Sequence, residues 1–309
     1  MADSRLSVGA GVALVFASFL AASSALAEPP LAPPEPAPVP HHQVRWDPKW
    51  THANAWDYSI AAVTTTASVI ELTVLQPIRP TLRWKDPILF DTDVRNALMT
   101  SNLSTRASLE DTAWVLWGLQ LAYPVLVDVP FAWARHGRQL AWDLFWQDAV
   151  TLTLAGAVDG AIRDIAGRAR PDIYDCLQQG GAHCLDSPES TRSFPGGHFA
   201  NSTAASVLTC TQHLYLRLYG GPWDGLTCAL TLASNLTIGV FRIVSDNHWV
   251  SDQIVGGALG GLIGWLVPFA MHLHGHTQVV SDDGRPTALV LPMPIVLDRG
   301  GGMGLTGIF

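Results

Sequence analysis

The sequence predicts an all-α domain, a bundle of about six core helices followed by a short C-terminal β-hairpin. Two observations carry the helical part. From Asp57 onward, apolar segments roughly twenty residues long recur between polar or Gly/Pro-bearing breaks, a length that fits helices and exceeds ordinary strands. Only 14% of the residues are charged, against roughly a quarter in soluble domains, so these helices are built to bury or to meet lipid on most of their surface. A third observation carries the hairpin: past Thr287 the pattern becomes two short apolar runs around Asp298-Arg299-Gly300-Gly301-Gly302, which reads as a glycine-rich turn between strands.

In chain order, residues 1–27 combine Arg5, an apolar run from Val8 to Leu20, and Ala25-Leu26-Ala27 before Glu28. These are the marks of a secretory signal peptide, so export is expected, and the apolar run is short for an uncleaved membrane anchor. Residues 28–56 open with a Pro/Ala-rich stretch and read as a semi-rigid linker. His41 and His42 have no carboxylate or cysteine at ligand spacing and read as exposed tail. The helical domain is expected over 57–276, with helices at 57–76, 112–134, 143–166, 199–218, 223–241 and 249–272. Between the first two, Pro77 to Asp111 is a polar connection with room for short helices, and its Trp84 and Phe90 are positioned to cover a site mouth. Residues 277–309 form the tail; one hairpin cannot close a barrel, so it is expected to pack on the helices.

The segment Gln253–Met271 is free of charge and long enough to span a membrane. The helix at 143–166 instead carries Asp143, Asp148, Asp159 and Arg163, and that at 199–218 carries Asn201, Ser202, Thr203 and His213. Such residues belong in a polar bundle interior or along a site. Of the four cysteines, Cys176 and Cys184 share one connection, where an oxidising compartment allows a disulfide. Cys210 and Cys228 lie at similar distances from the turn at Gly220-Gly221 and read as a pair or, the favoured reading, as two buried thiols. A net charge of −8 argues against nucleic acid as partner.

Three polar stretches interrupt this apolar background. In Phe241–Asp252, His248 and Asp252 are four apart, and a helix opening at Asn247 would let the carboxylate hold the imidazole; a buried structural histidine beside a capping acid fits the triplet equally. In Arg163–Pro171, two arginines seven residues apart would share a helix face, although Pro171 marks an exit from the helix. Ser193-Phe194-Pro195-Gly196-Gly197-His198 precedes another helix, where backbone N–H groups and the helix dipole favour an anion, with His198 beside it. Singly, each is commonly structure: a solvated arginine pair, or a Pro-Gly turn.

In combination the three blocks resemble the type 2 phosphatidic acid phosphatase superfamily, which includes lipid phosphatases, bacterial acid phosphatases and vanadium haloperoxidases. The family pattern is Lys-x6-Arg-Pro, Pro-Ser-Gly-His and Arg-x5-His-x3-Asp. Here the lysine is Arg163, which keeps the charge in a forked form, and the serine is Gly196; the third block, Arg242 to Asp252, matches fully. The resemblance implies the helical-bundle fold of that superfamily and a metal- and cofactor-independent phosphatase acting on a phosphorylated lipid or a small phosphate ester. It implies that His248 attacks phosphorus, Asp252 orients it and His198 serves the leaving group, with Arg163, Arg170, Arg242 and the Gly196 and Gly197 amides binding phosphate. It also implies a site on the periplasmic side. Six spans after an exported N-terminus would put the blocks in the cytoplasm, so residues 57–76 are expected to lie at the interface or pack without spanning, leaving Arg135 and Arg138 on the cytoplasmic side. A soluble periplasmic acid phosphatase, a haloperoxidase and an inactive envelope scaffold are the alternatives.

Overall fold

The computed structural model describes residues 44, 46–75, 78 and 81–273, and the backbone of 289–297 and 300–308. The expected signal peptide, the Pro/Ala-rich stretch and the His41-His42 pair lie outside these residues.

Helix α1 (Ala55–Ile70) begins where Asn54 supplies an N-cap. Its side chain accepts from the Trp56 amide at 3.0 Å, and Asp57 accepts from the Asn54 amide at 2.7 Å, satisfying orphan donors of the first turn. The helix widens into a π turn over Glu71–Leu75. A short α2 (Asp91–Leu98) occupies the polar connection, as its composition allowed. Helix α3 (Leu103–Tyr123) starts nine residues before the expected 112, because its first turns are polar and carry no apolar period. The start signal is Asn102, which accepts from the amides of Ser104 and Thr105 at 3.0 and 3.2 Å. Through a π turn at Pro124–Asp128 it runs into α4 (Val129–His136), which stops at Gly137, φ 103°. Helix α5 (Arg138–Ala166) ends on Gly167 in the left-handed region. A Cβ there would also stand 2.2 Å from the Thr81 carbonyl. Helices α6 (Pro171–Gln178), α7 (Gly197–Leu216), α8 (Trp223–Val244) and α9 (Val250–Met271) complete the bundle.

Helix α7 packs against α9, α8, α5 and α3, while α5 packs against α1, α7, α4 and α9. These two helices keep their polar groups inside. Gln212 donates to Asp148 at 2.7 Å, and His213 lies 2.7 Å from Asp224 and 3.3 Å from Asp128. The helices around them turn apolar residues outward, among them Val63, Leu72, Leu119, Leu230, Leu236 and Leu262. Among the described residues, four segments, Ala55–Leu75, Leu103–His136, Trp223–Val244 and Val250–Met271, are long and apolar enough to cross a membrane. The first covers the segment expected to pack without spanning; its length and composition also suit a span, and Glu71 sits buried at its end.

Three glycines fix how α7 meets α9. A Cβ at Gly256, Gly260 or Gly264 would stand 2.8, 2.0 and 2.4 Å from the carbonyl oxygens of Gly196, Ala200 and Ala204. Spaced by four, they form a seam along which the two backbones touch. Gly261, one position round, has only ordinary contact at 3.8 Å. Gly260→Ala is therefore expected to force the helices apart and cost about 3 kcal/mol, the upper part of the overpacking range, whereas Gly261→Ala is close to neutral. Thermal unfolding of the two variants in detergent checks this, and equal midpoints would refute it.

The packed region begins ahead of the expected linker end. Trp50 is buried among Leu140, Leu144, Leu216, Leu218 and Leu273, and Asp143 accepts from the Ala53 amide at 2.8 Å. Cys176 and Cys184 are disulfide-bonded. So are Cys210 and Cys228, whose Cα atoms lie 4.6 Å apart, correcting the reading of this pair as free thiols. The C-terminal hairpin pairs β1 (Leu289–Leu297) with antiparallel β2 (Gly300–Ile308), Leu297 opposite Gly300. Gly300–Gly302 thus belong to the strand rather than the turn. How the hairpin packs falls on side chains outside the described residues.

Candidate active site

The C-terminal ends of α1, α5 and α8 and the N-terminal ends of α3, α7 and α9 meet at one end of the bundle, and the predicted site residues gather there. Arg163, in the last turn of α5, points one guanidinium nitrogen at Glu71 (3.2 Å) and lies 3.6 Å from Asp159. Gly197 opens α7 directly against this pair: a Cβ on it would stand 2.7 Å from Asp159 Oδ2 and 3.2 Å from Arg163 Nη1. The first α7 amides therefore approach Arg163 as no larger residue would permit, and they have no acceptor within their own helix.

Arg170 reaches the same end by a different route from the shared helix face expected for it. Gly167 ends α5, and Arg170 is the extended N-cap of α6, with Pro171 at its first position. Its guanidinium is held by the Glu189 carbonyl (2.9 Å), the Glu189 carboxylate (2.6 Å) and Asn247 (3.1 Å). Arg242, buried near the end of α8, meets Glu110 at 3.4 Å. Each of the three arginines thus has an acidic neighbour from a distant part of the chain, and none of these neighbours is distinguished by local sequence.

His248 sits two residues before α9 rather than inside it, so the expected helical pairing with Asp252 does not form. Its Nδ1 donates to the Ser193 carbonyl at 2.8 Å and lies 3.7 Å from Asp252 Oδ2. With the proton committed to Nδ1, the Nε2 lone pair is left free. Asp252 instead accepts from the Trp249 amide (3.0 Å) and the Ser193 hydroxyl (2.6 Å) and pairs with the buried Arg168. It fixes the loop whose carbonyl holds His248. The amide of Gly196 donates to the Asp252 carbonyl at 3.0 Å, which corrects its assignment as a free anion donor; the Gly197 amide keeps that role open.

His198, in the first turn of α7, packs T-shaped against Trp114 with centroids 4.1 Å apart and lies tilted against Trp117 at 5.3 Å. Its buried Nε2 has no hydrogen-bond partner among the described residues. Burial, and after it the charges of Arg242, His248, Arg170 and Arg163, hold His198 well below the ordinary histidine range. Burial, then Arg242 and Arg170, do the same to His248. All three guanidiniums therefore bear on both imidazoles, and both are neutral while no anion is present. Trp84, expected at the mouth, lies beside Phe194 (5.2 Å) and over the Arg168 guanidinium (3.9 Å), backing the loop that carries Ser193.

Sequence reasoning missed Arg168 and its partner Asp91. Arg168 is fully buried, and its guanidinium donates to Asp91 (2.6 Å) and Ser251 (2.8 Å) as well as to Asp252. It lies in the same block as Arg163 and Arg170 and carries the same charge, so only its long-range partners set it apart.

Residues 144–274 match the model of the PAP2 superfamily, a segment that contains every predicted site residue. Over 204 residues it is 26% identical to a lipid A 1-phosphatase of Porphyromonas gingivalis, covering 62% of this chain and 39% of that one. The chain thus spans well under half the length of that relative. Among solved structures, a transmembrane PAP2-type phosphatidylglycerolphosphate phosphatase from Bacillus subtilis aligns with 70% of this chain and 86% of its own at 17% identity, with a TM-score of 0.34.

Proposed function

We propose that the protein is a phosphatase that hydrolyses a phosphate monoester or pyrophosphate of a membrane lipid, without a metal, through a phosphohistidine. The observation that carries this reading is His248, whose Nδ1–H is bound by the Ser193 carbonyl while Nε2 stays free beside Arg163, Arg170 and Arg242. Nε2 attacks phosphorus, an Nε2–P bond forms, and the ester P–O bond breaks. His198 gives its proton to the departing oxygen, then takes one from the water that attacks the phosphohistidine and releases phosphate. His198 is neutral in the empty site, but an arriving phosphate dianion offsets the guanidinium charges and lets it hold the proton it must deliver. The arginines and the Gly197 amide meet the charge on the transferring phosphoryl group. Asp252 acts through Ser193 and the Trp249 amide, keeping the carbonyl that orients His248 in place.

Four membrane-length apolar helices support membrane association and a lipid substrate, and the relative from Porphyromonas gingivalis is named for a phosphatase of that kind. We assign the site to the periplasmic face. Asn54 caps α1 at the end opposite Arg163, so a spanning α1 with a periplasmic site leaves the residues before it in the cytoplasm. A signal cleaved after Ala27 requires instead that α1 pack without crossing.

The full chain in detergent should release phosphate from lipid phosphates in excess EDTA, with orthovanadate as a tight inhibitor, because vanadate bonded to a histidine nitrogen copies the five-coordinate in-line transition state. Activity lost to EDTA and restored by magnesium would overturn the mechanism. A strong preference for soluble esters would leave the mechanism standing and move the substrate to that of a broad-specificity acid phosphatase.

A further inference from the structure

One polar side chain at this end of the bundle has a place in neither the fold nor the reaction described above. Gln253, in the first turn of α9, is buried to all but 4% of its surface, and neither its Oε1 nor its Nε2 has a hydrogen-bond partner among the described residues. A buried carboxamide with donor and acceptor both unsatisfied is rare, since each orphaned group has left water without regaining a partner. Its position explains the gap. A Cβ built on Gly196 would stand 2.7 Å from Gln253 Oε1 and 3.2 Å from Nε2, so the carboxamide fills the volume a side chain at 196 would take. Beside it, the corresponding position on Gly197 lies 2.7 Å from Asp159 Oδ2 and 3.2 Å from Arg163 Nη1, so the arginine stands there with its own carboxylate partner. The amide and the guanidinium therefore flank the N-terminus of α7, where the helix dipole favours negative charge.

We infer that Gln253 is a phosphate ligand, its Nε2 donating to a phosphoryl oxygen held between the first turn of α7 and Arg163. The glycine at 196 is what gives the glutamine room to do so. The inference rests on the phosphatase reading and adds a residue from outside the three blocks that carry it. Because the donor comes from α9, the helix that follows His248, it couples the anion site to the loop holding the nucleophile.

The test compares Gln253→Leu, Gln253→Glu, Gly196→Ser and the double variant Gly196→Ser/Gln253→Ala in the full chain in detergent, reading p-nitrophenyl phosphate hydrolysis and inhibition by inorganic vanadate and phosphate. Leucine keeps most of the volume and removes the donor. It is expected to weaken vanadate and phosphate binding about tenfold to a hundredfold, the range for a hydrogen bond to a charged group, with little change in unfolding temperature. Glutamate keeps the shape and places an anion at the same point, so its loss should be at least as large. Gly196→Ser alone should impair binding, because its Cβ collides with the carboxamide. The double variant should bind better than either Gly196→Ser or Gln253→Leu, because a hydroxyl then occupies the vacated space. Wild-type anion affinity in both Gln253→Leu and Gln253→Glu overturns the inference alone, since space-filling would then be the whole role of the side chain. A wild-type chain that binds neither anion overturns the phosphatase reading and this inference with it.

Discussion

His248→Ala is expected to abolish turnover, lowering kcat by at least about 10⁴-fold, while His198→Ala leaves slow formation of a phosphoenzyme. The two imidazoles lie in the same field of three guanidiniums but are held differently. His248 is fixed by the Ser193 carbonyl with Nε2 free to attack. His198 packs against the rings of Trp114 and Trp117, and its Nε2 is unpartnered among the described residues, as suits a group that meets a partner only when substrate arrives. Without His248 no N–P bond can form. Without His198 the bond still forms when the leaving group needs no proton, as with p-nitrophenolate, and is then hydrolysed slowly, since the same imidazole would have activated water. The loss for His198→Ala is therefore expected at roughly 10²- to 10⁴-fold with an alkyl ester and less with p-nitrophenyl phosphate. Rapid-quench labelling with radioactive phosphate separates the cases: an acid-labile, base-stable adduct should accumulate on His198→Ala and be missing from His248→Ala. Equal residual rates and no adduct on either would undo the division of roles.

How far the site could be read from the sequence depends on what kind of contact each part makes. The helices were legible because burial and lipid both demand long apolar runs. The start of α3 was misjudged most, by nine residues, since the turns from Ser104 to Asp111 are polar and only the Asn102 cap announces them; α5 likewise begins at Arg138, five residues before the expected 143. Arg163, His198, Arg242 and His248 were legible because each stands at or beside a helix end in a spaced block. Contacts made by backbone atoms were not. Nothing in the side chain of Ser193 says that its carbonyl, rather than Asp252, accepts the hydrogen bond from His248 Nδ1, or that the Gly196 amide is already bound to the Asp252 carbonyl. The Cys210–Cys228 bond depends on the rotational register of α7 against α8, to within the 4.6 Å between their Cα atoms, and spacing from a turn does not fix that register. Pairing across long stretches of chain was equally hidden: Arg168 resembles its neighbours until Asp91, 77 residues earlier, is seen beside it.

That pairing makes Arg168 the position outside the reacting groups where substitution should cost most. Its guanidinium is fully buried and bridges Asp91 at the start of α2 to Ser251 and Asp252 at the start of α9, with the Trp84 ring over its face. Asp91 in turn accepts from the Ser251 amide and hydroxyl at 2.9 and 2.8 Å. One cation therefore neutralises two carboxylates that are both out of contact with water. Arg168→Met leaves both unpaired, and breaking a buried pair in this way costs about 3–5 kcal/mol. Arg168→Lys keeps the charge but not the fork, so it cannot serve both carboxylates at once and should fall between wild type and Arg168→Met. Adding Asp91→Asn to Arg168→Met removes one stranded charge and should recover part of the loss, which a mere change of side-chain volume would not predict. Thermal unfolding in detergent should therefore rank wild type above Arg168→Lys, then the double variant Arg168→Met/Asp91→Asn, then Arg168→Met alone. The kcat for the phosphate ester should fall in step, since Asp252 steadies the loop that orients His248. An Arg168→Met protein as stable as wild type would mean that the two carboxylates are protonated or hydrated in the native state, and that the arginine is not what holds the nucleophile's loop in place.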